Sequence, residues 1–157
     1  MKTWNSHIYR IFETLLPRES ASKEVDMALL LSISFPAFAT HDPDLYVKTK
    51  SNIIGQLGGN WGFKRFCRDG QGCVLEPKDR KFYADGMTQK FEGLESEWPI
   101  FHAFMVIDGV FKNFDQQVEY HQSQLKRLIK YTDKVNIFFR IFRLKRMKYF
   151  DYGFGYL

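Results

Sequence analysis

The sequence lacks the features that mark several common classes of protein. Its two cysteines, Cys67 and Cys73, are not arranged as C-x-x-C and have no histidine at metal-ligand spacing, so neither a disulfide framework nor a zinc site is predicted. It has no glycine-rich phosphate loop, no short repeat and no low-complexity tract. The pair Gly58-Gly59 is typical of a helix end rather than of a nucleotide cradle. We therefore expect no metal and no cofactor.

Long apolar runs are also missing. The N-terminal residues MKTWNSHIYR are polar and mixed, which argues against a secretory signal peptide. The most apolar stretch, residues 100–111, is well short of the ~20 residues that a membrane span needs, and it carries a charge at Asp108. With 157 residues, 45% of them apolar and 26% charged, the sequence predicts one globular domain or part of one.

Positive charge is concentrated at one end of the chain. The net charge is +5, but six of the 23 basic residues and no acid lie between Lys134 and Lys148. Before Lys134 the sequence has 17 basic and 17 acidic residues. Because the body of the protein is neutral, we expect no nucleic-acid partner.

Three segments have the spacing of amphipathic helices: residues 7–16, the segment between Pro43 and Gly58, and the segment that Asp115 begins. For the second of them, Asp42-Pro43 supplies a cap and first turn, and Gly58-Gly59 supplies the end. Its predicted apolar face is formed by Leu45, Ile53, Ile54 and Leu57.

Two further segments are apolar on nearly every side, which predicts buried helices. One is capped by Ser20 or Ser22, has Glu24 and Asp26 in its first turn, and is apolar almost throughout residues 25–35. The other covers residues 100–111 after Pro99, where only His102 and Asp108 interrupt the apolar run. His102 is interpreted as a hydrogen-bonded core histidine.

Helices that alternate between amphipathic and fully apolar are typical of an α/α toroid with outer and inner rings. Glu95, Glu97 and Trp98 precede the second apolar helix, and carboxylates there favour the positive end of the helix dipole. In such a toroid, polar groups at the N-termini of inner helices face a pocket. The loop over residues 60–92 is long, which favours a functional role, and we expect a short extended piece at residues 61–66.

Three blocks of the sequence resemble a known family. They are LLPRESASKEVDMALLLSISFPAFA, GFKRFCRDG and ESEWPIFHAFMVIDGVF, in that order. They look like the N-terminal glucoamylase-like region of the α and β regulatory subunits of phosphorylase kinase. The resemblance covers roughly residues 8–129, leans towards the α type through SKEVD and SEWP, and is poor over residues 71–90.

The resemblance implies an all-α fold, a partial (α/α)6 toroid like that of family 15 glycoside hydrolases, with about five helices and a long loop. Residues 1–130 form this partial domain, and residues 131–157 form a basic aromatic tail. Five helices are fewer than half of a ring, so apolar faces should remain uncovered. We expect such a fragment to be marginally stable or to self-associate.

The resemblance also implies a cytoplasmic, non-catalytic regulatory subunit that controls glycogen breakdown. Its partners are the catalytic subunit of phosphorylase kinase, the other regulatory subunits and, with calcium, calmodulin. Many members of the family carry a C-terminal prenyl group, which brings them to the cytoplasmic face of the plasma membrane. This chain ends in GFGYL without a C-a-a-X box, so the lipid anchor is not carried over.

A glucoamylase-like hydrolase fragment is the alternative from the enzyme class. Glycoside hydrolysis needs two carboxyl groups on opposite sides of the scissile bond, and the segments that carry them in the hydrolases have no counterpart in this chain. Glu95 and Glu97 are only two residues apart, so we expect them on one wall of a pocket. Their plainer role is helix-start electrostatics and loop hydrogen bonds. No catalytic residue is assigned.

A vestigial sugar pocket remains a hypothesis. The resemblance places Arg65 where the hydrolases have an arginine that contacts substrate hydroxyls, and Trp61 offers an aromatic surface. A salt bridge from Arg65 to Glu95 or Glu97 is the structural alternative, and Arg68 with Asp69 suggests a local ion pair or turn. The candidate residues are Trp61, Arg65, Arg68, Asp69, Glu95 and Glu97.

The tail, KVNIFFRIFRLKRMKYF, alternates basic and large apolar residues. This pattern is typical of a calmodulin target or of a helix on a membrane surface, which gives a third hypothesis: a binding tail on a helical scaffold. The family resemblance stops where this run begins. The other interpretation is therefore a truncated or mis-spliced end that is not a native element.

Overall fold

The structure is a computed structural model that describes residues 6–7, 10–11, 15–16, 23–76, 79, 81–84, 86–130, 138–139 and 142–143. Within these ranges the chain forms helices α1 (Ala28–Ile33), α2 (Pro43–Leu57), α3 (Ile100–Lys112) and α4 (Asp115–Leu128), with a 3-10 helix at Thr88–Phe91. The predicted all-α class is confirmed for this part of the chain. Half of the helix predicted over residues 7–16, including its apolar positions 8 and 12, lies outside the described residues.

Four two-residue strands accompany the helices: β1 (Ser96–Glu97), β2 (Ile129–Lys130), β3 (Phe138–Phe139) and β4 (Phe142–Arg143). Strand β1 pairs antiparallel with β4, and β2 pairs antiparallel with β3. Apart from β3 and β4, the predicted tail lies outside the described residues, and its boundary at residue 130 stays a prediction. No helix in the described ranges has both the length and the apolar character of a membrane span.

Helix α1 begins later and ends earlier than predicted. The carboxylate of Asp26 accepts a hydrogen bond from the backbone amide of Ala28 at 2.8 Å, and Asp26 forms an isolated antiparallel bridge with Phe66. These contacts hold the chain out of the helix until Ala28. The prediction of a helix over residues 25–35, with Glu24 and Asp26 in its first turn, is therefore wrong at both ends.

Helix α2 follows its predicted boundaries. The Asp42 side chain accepts hydrogen bonds from the amides of Asp44 and Leu45, and Pro43 occupies the first turn, where its missing N–H costs nothing. Gly58 caps the other end. The predicted apolar face was only partly right, since Ile54 is 45% exposed. The buried side chains are Tyr46, Thr49, Lys50, Ile53 and Leu57.

Helices α3 and α4 pack against each other as a hairpin. Asn113 adopts the left-handed conformation at the end of α3, with φ 57°, and this reverses the chain into α4. Gly109 lets the two helices approach closely, because a Cβ added there would lie 2.8 Å from Cγ2 of Val118. This close contact sets the distance between α3 and α4.

Helix α3 is buried on one side only. Its fully buried residues are His102, Met105, Asp108 and Gly109, whereas Val110 and Phe111 are 59% and 53% exposed. The prediction of burial all round is wrong for this chain, because the described elements cover a single stripe of the helix. The two polar residues of the run lie inside, and much of the apolar surface lies outside.

The core lies between α1, α2, the loop after α2 and the inner stripe of α3. Phe63, 4% exposed, brings the loop into this core, and Met105 brings α3 into it. Apolar packing therefore anchors the loop near its start. The other members of the core are Leu16, Val25, Met27, Leu29, Leu30, Ile33, Tyr46, Ile53 and Leu57.

Replacing two helical glycines by alanine should change the free energy of unfolding in opposite directions. Gly55→Ala in α2 adds a Cβ with no atom within 4 Å, so the free energy of unfolding should rise by up to about 1 kcal/mol through helix propensity. Gly109→Ala places its Cβ against the short, stiff side chain of Val118, and we expect a loss of about 1–2 kcal/mol. Urea unfolding of both variants tests the expected difference in sign. Equal stabilisation would show that α3 and α4 are not closely packed.

Candidate functional site

The loop after α2 is attached by backbone pairing to Trp98, the residue that follows β1. Phe63 forms isolated antiparallel bridges with Gly58 and with Trp98. The amide of Trp98 donates to the carbonyl of Phe63 at 2.8 Å. The extended piece predicted at residues 61–66 is thus present as single bridges at Phe63 and Phe66 rather than as a strand. This pairing places the loop directly before the N-terminus of α3.

Glu97 is buried beneath this loop, at 1% exposure. Its Oε2 accepts hydrogen bonds from the amides of Trp61 at 2.7 Å and Gly62 at 3.2 Å. A Cβ added at Gly59 would lie 2.2 Å from the Glu97 carboxyl carbon, so the carboxyl group fits only against a glycine. Burial raises the pKa of Glu97 above its ordinary value, although the two amide donors act to lower it.

Glu95 holds the other end of the loop and is also 1% exposed. Its Oε1 accepts a hydrogen bond from the amide of Arg68 at 2.8 Å, and its Oε2 lies 3.1 Å from Nζ of Lys64. Burial alone would raise the pKa of Glu95, but the amide donor and the Lys64 ammonium outweigh it and lower the pKa. Both glutamates therefore make the loop hydrogen bonds expected as their plainer role.

Arg65 pairs with Asp69. Its Nε lies 2.6 Å from Oδ2 and its Nη2 lies 2.8 Å from Oδ1 of a carboxylate that is 2% exposed. The sequence-based alternatives of a bridge from Arg65 to Glu95 or Glu97 are thus corrected. Hydrogen bonding to Asp69 raises the pKa of the guanidinium further above its ordinary value.

Arg68 contributes its backbone, which lies in the left-handed region with φ 60° and donates its amide to Glu95. The sequence predicts an ion pair or a turn at Arg68 and Asp69. The turn is present, whereas the ion pair of Asp69 is formed with Arg65.

Trp61 is half-buried and has a cation on its ring. The Arg127 guanidinium lies 5.3 Å from the ring centroid, and its Nη2 donates to the carbonyl of Asn60 at 2.8 Å. The end of α4 is thereby joined to the start of the loop, and one face of the aromatic surface predicted for sugar is covered.

The six candidate residues therefore lie in one layer, formed by the loop and β1, at the N-terminal end of α3. Their carboxylates are engaged by backbone amides or cations, which makes the layer a scaffold that holds a loop in a defined shape. In the described part of the chain, no group of three or more His, Cys, Asp or Glu side chains is placed to hold a metal ion.

Curated proteins with similar sequences share one description. A probable phosphorylase b kinase regulatory subunit beta of Drosophila melanogaster is 52% identical over 120 residues, which are 76% of this chain and 11% of that protein. A probable regulatory subunit alpha of Caenorhabditis elegans is 42% identical over 124 residues, 79% of this chain and 10% of the other. The skeletal muscle isoform of the regulatory subunit alpha of Rattus norvegicus is 42% identical over 123 residues, which are 78% of this chain and 10% of that protein.

The chain is homologous to the regulatory subunits of phosphorylase b kinase. It spans about a tenth of the length of these relatives. No protein-family model matches it. The fly β subunit is more similar to it than the worm and rat α subunits are, so the leaning towards the α type from SKEVD and SEWP is not supported.

Behind the loop, this homologue of the regulatory subunits buries a polar network where α2, α3 and α4 meet. Nζ of Lys50 donates to Oδ2 of Asp108 at 2.7 Å and to the hydroxyl of Tyr46 at 2.9 Å. The Tyr46 hydroxyl donates to Asp108 in turn. Gln117 of α4 accepts from Lys50 and donates to Oδ2 of Asp108 at 3.0 Å and to the carbonyl of Met105 at 2.6 Å.

The network sets the ionisation of its members. Burial acts to raise the pKa of Asp108, but hydrogen bonds from Lys50 and Gln117 outweigh it and lower the pKa. Burial, together with the contact to Asp108, raises the pKa of Tyr46 well above its ordinary value.

Sequence reasoning missed Lys50. The available signal was its position four residues after Tyr46, on the face that continues to Ile53.

A pair of histidines lies between α3 and α4. The Nδ1 atoms of His102 and His121 are 2.8 Å apart, and the residues are 3% and 6% exposed. One ring must donate and the other accept, so the pair holds one proton between these atoms. The ring of Phe63 packs edge-on against His102, with centroids 5.4 Å apart. His102 is the hydrogen-bonded core histidine that the sequence predicts, whereas its partner His121 was missed.

Removing the cation of the buried network should be costly. Lys50→Met leaves the Asp108 carboxylate buried without its ion pair, and we expect the free energy of unfolding to fall by about 3–5 kcal/mol. Adding Asp108→Asn should recover at least about 1 kcal/mol, because the amide has no charge to desolvate. Lys48→Met, on the exposed side of α2, is the matched control and should change stability by less than about 0.5 kcal/mol. Equal effects at the two lysines would contradict the network.

Acid should weaken the α3–α4 contact through the histidine pair. Burial, His102 and Lys50 lower the pKa of His121 to about 4, and burial and Arg127 lower the pKa of His102. Because the unfolded chain takes up protons near pH 6.5 and the folded chain does not, stability should fall between pH 6.5 and 4, by roughly 2–3 kcal/mol. Urea unfolding across this range should show a shallower decline for His121→Gln, whereas His41→Gln, at an exposed site, should follow the wild type.

Proposed function

We propose that this chain is a non-catalytic regulatory element of phosphorylase kinase that acts through protein contacts and thereby controls glycogen breakdown. The observation that carries the proposal is the engagement of Glu95 and Glu97, both 1% exposed, with amides of the loop over residues 61–68. Two carboxyl groups that hold one loop are not arranged as an acid and a base on opposite sides of a glycosidic bond, which supports a non-catalytic role. Homology to proteins named regulatory subunits supports the same conclusion.

The proposed partners are the catalytic kinase subunit, the other regulatory subunits and calcium-loaded calmodulin, all in the cytoplasm. The proposed contact surface is the loop after α2, because Glu95, Glu97 and Arg65 hold its backbone in one shape and preorganisation favours binding. The proposed complete fold is an α/α toroid in which α3 is an inner helix. Membrane contact would require a prenyl group on the full-length protein.

Adding the purified chain to isolated phosphorylase kinase catalytic subunit tests this proposal. The rate of phosphate transfer to phosphorylase b should fall severalfold at saturating chain. Glu97→Ala removes the acceptor for two loop amides and should weaken this effect about tenfold or more, whereas Glu97→Gln keeps an acceptor and should retain most of it. An unchanged rate, with no complex by sedimentation, would exclude the regulatory role for this chain.

Two further measurements separate the alternatives. Calmodulin should bind the whole chain with calcium and be released by a chelator; binding that ignores calcium would contradict the proposed link to calcium. Incubation with maltooligosaccharide should release no glucose. Glucose release that disappears in Glu95→Gln or Glu97→Gln would favour the glycoside hydrolase alternative.

A vestigial sugar pocket is the second candidate function. The Arg65 side chain is 32% exposed, and its guanidinium stacks on the rings of Trp98 and Phe66 at 5.5 and 5.4 Å. Sugars are bound by such combinations of planar donors and aromatic faces. Titration with maltose, followed by NMR, should shift the indole signal of Trp98 in the wild type but not in Arg65→Met. Identical titrations for the two proteins would remove this candidate.

A further inference from the structure

A glutamate in the loop after α2 joins two distant parts of that loop. The hydroxyl of Tyr83 donates to Oε1 of Glu76 at 2.8 Å, and the amide of Gly72 donates to Oε2 of Glu76 at 2.6 Å. We name these three residues the Glu76 clasp. We propose that Tyr83 is a site of phosphorylation and that a phosphate group there opens the Glu76 clasp.

Among the tyrosines that the structure describes, Tyr83 is the one that lies in an exposed loop. Its side chain is 37% exposed, and residues 81–84 are all exposed and lie outside helices and strands. A kinase has to reach both the hydroxyl and the backbone around it, which a surface loop permits. Tyr46 is only 8% exposed, and Tyr120, although 57% exposed, lies within α4.

The reaction is a phosphoryl transfer from ATP, catalysed by a protein-tyrosine kinase. Burial and the hydrogen bond to Glu76 raise the pKa of Tyr83 to about 12, so its hydroxyl is protonated at neutral pH. The hydroxyl oxygen forms a bond to the γ-phosphorus while the bond from that phosphorus to the β–γ bridging oxygen breaks. ADP leaves, and the hydroxyl proton passes to the catalytic base of the kinase.

Phosphorylation changes the contact between Tyr83 and Glu76 from attraction to repulsion. The ester oxygen of the modified side chain has no hydrogen to donate, so the hydrogen bond to Oε1 is lost. The phosphate also brings about 1.5 to 2 negative charges next to a carboxylate at pH 7. Because both groups are acceptors of the same charge, the Glu76 clasp cannot stay closed in its present form.

A cation lies within electrostatic reach of the new phosphate. The hydrogen bond to Asp69 is the main cause that raises the pKa of Arg65, and the oxygen of Tyr83 contributes to the same rise. The side chain of Arg65 is 32% exposed, so a phosphate can approach it from solvent. Guanidinium groups bind phosphate through charge-assisted hydrogen bonds. The phosphate therefore has a cation to move towards as Glu76 repels it.

The opening should be confined to the loop, because apolar packing holds the base of this segment. The ring of Tyr83 packs edge-on against Phe91, with centroids 5.0 Å apart, and Phe91 is 0% exposed. A Cβ added at Gly70 would lie 2.5 Å from Cε2 of Phe91, so the backbone fits closely over this ring. Loss of the Glu76 clasp therefore changes the surface of the loop and leaves the core packed.

The opening of the loop does not require the proposed function, whereas its effect on the kinase rests on it. The loop after α2 is the proposed contact surface, so phosphate on Tyr83 should weaken contact with the catalytic kinase subunit. If the chain fails to bind that subunit, labelling and opening of the loop are still measurable. If Tyr83 is not labelled, the unmodified chain can still regulate the kinase.

Treating the whole chain with a protein-tyrosine kinase domain, ATP and Mg²⁺ tests the site, with mass spectrometry to map the phosphate. Tyr83 should be labelled at least about tenfold faster than Tyr120, because α4 must open locally before a kinase can bind its backbone. Tyr120→Phe is the matched control and should leave the labelling of residue 83 unchanged, whereas Tyr83→Phe should abolish it. Labelling of Tyr83 that is no faster than that of Tyr120 overturns the inference.

Hydrogen exchange at the amide of Gly72, followed by NMR, tests the opening. Phosphate on Tyr83 should speed this exchange at least about tenfold. In Glu76→Gln the side chain keeps an acceptor for Gly72 and has no charge to repel the phosphate, so phosphorylation should change the exchange less than about threefold. Unchanged exchange in the phosphorylated wild type, or an equal change in Glu76→Gln, would contradict the opening of the clasp.

Discussion

The buried ion pair between Lys50 and Asp108 is the contact on which the arrangement of the helices depends. The two residues are 58 positions apart, and their side chains meet where three helices converge. A carboxylate that is 1% exposed is tolerated only when its charge and lone pairs are satisfied. Lys50, Tyr46 and Gln117 together meet this condition. The network therefore allows one relative placement of α2, α3 and α4, where apolar packing alone would allow several.

Buried carboxylates also hold the loop in front of α3, although Oε1 of Glu97 has no hydrogen-bond partner among the described residues. Glu95 and Glu97 accept amide hydrogen bonds from residues that are 27 and up to 36 positions away. Gly59 leaves just enough room for the Glu97 carboxyl group. These acidic side chains are thus used to shape a backbone. The backbone of the loop is thereby held in one shape by two buried side chains.

Local signals in the sequence were sufficient for α2, where the Asp42 cap, Pro43 and Gly58 fix both ends through contacts within four residues. They were not sufficient for α1. Its start is set by the pairing of Asp26 with Phe66 across 40 residues, and no periodicity in residues 25–35 reveals that contact. Local signals were also insufficient for the site. The predicted residues lie in one layer, but Arg65 pairs with Asp69 because of the shape of the loop, which the sequence does not reveal. Lys50 and His121 were missed because Asp108 and His102, with which they pair, lie on another helix.

Helix α3 shows why the buried face of a helix could not be predicted from its composition. Its apolar run suggested a helix covered on all sides, yet the inner stripe holds His102 and Asp108, and Phe111 lies outside. Polar groups inside a fold must be paired, and here α2 and α4 supply the partners. Leaving an apolar side chain in water costs less than burying an unpaired charge, so the polar groups lie where partners are available. The helix therefore packs into this chain through His102 and Asp108, whereas Val110 and Phe111 remain exposed.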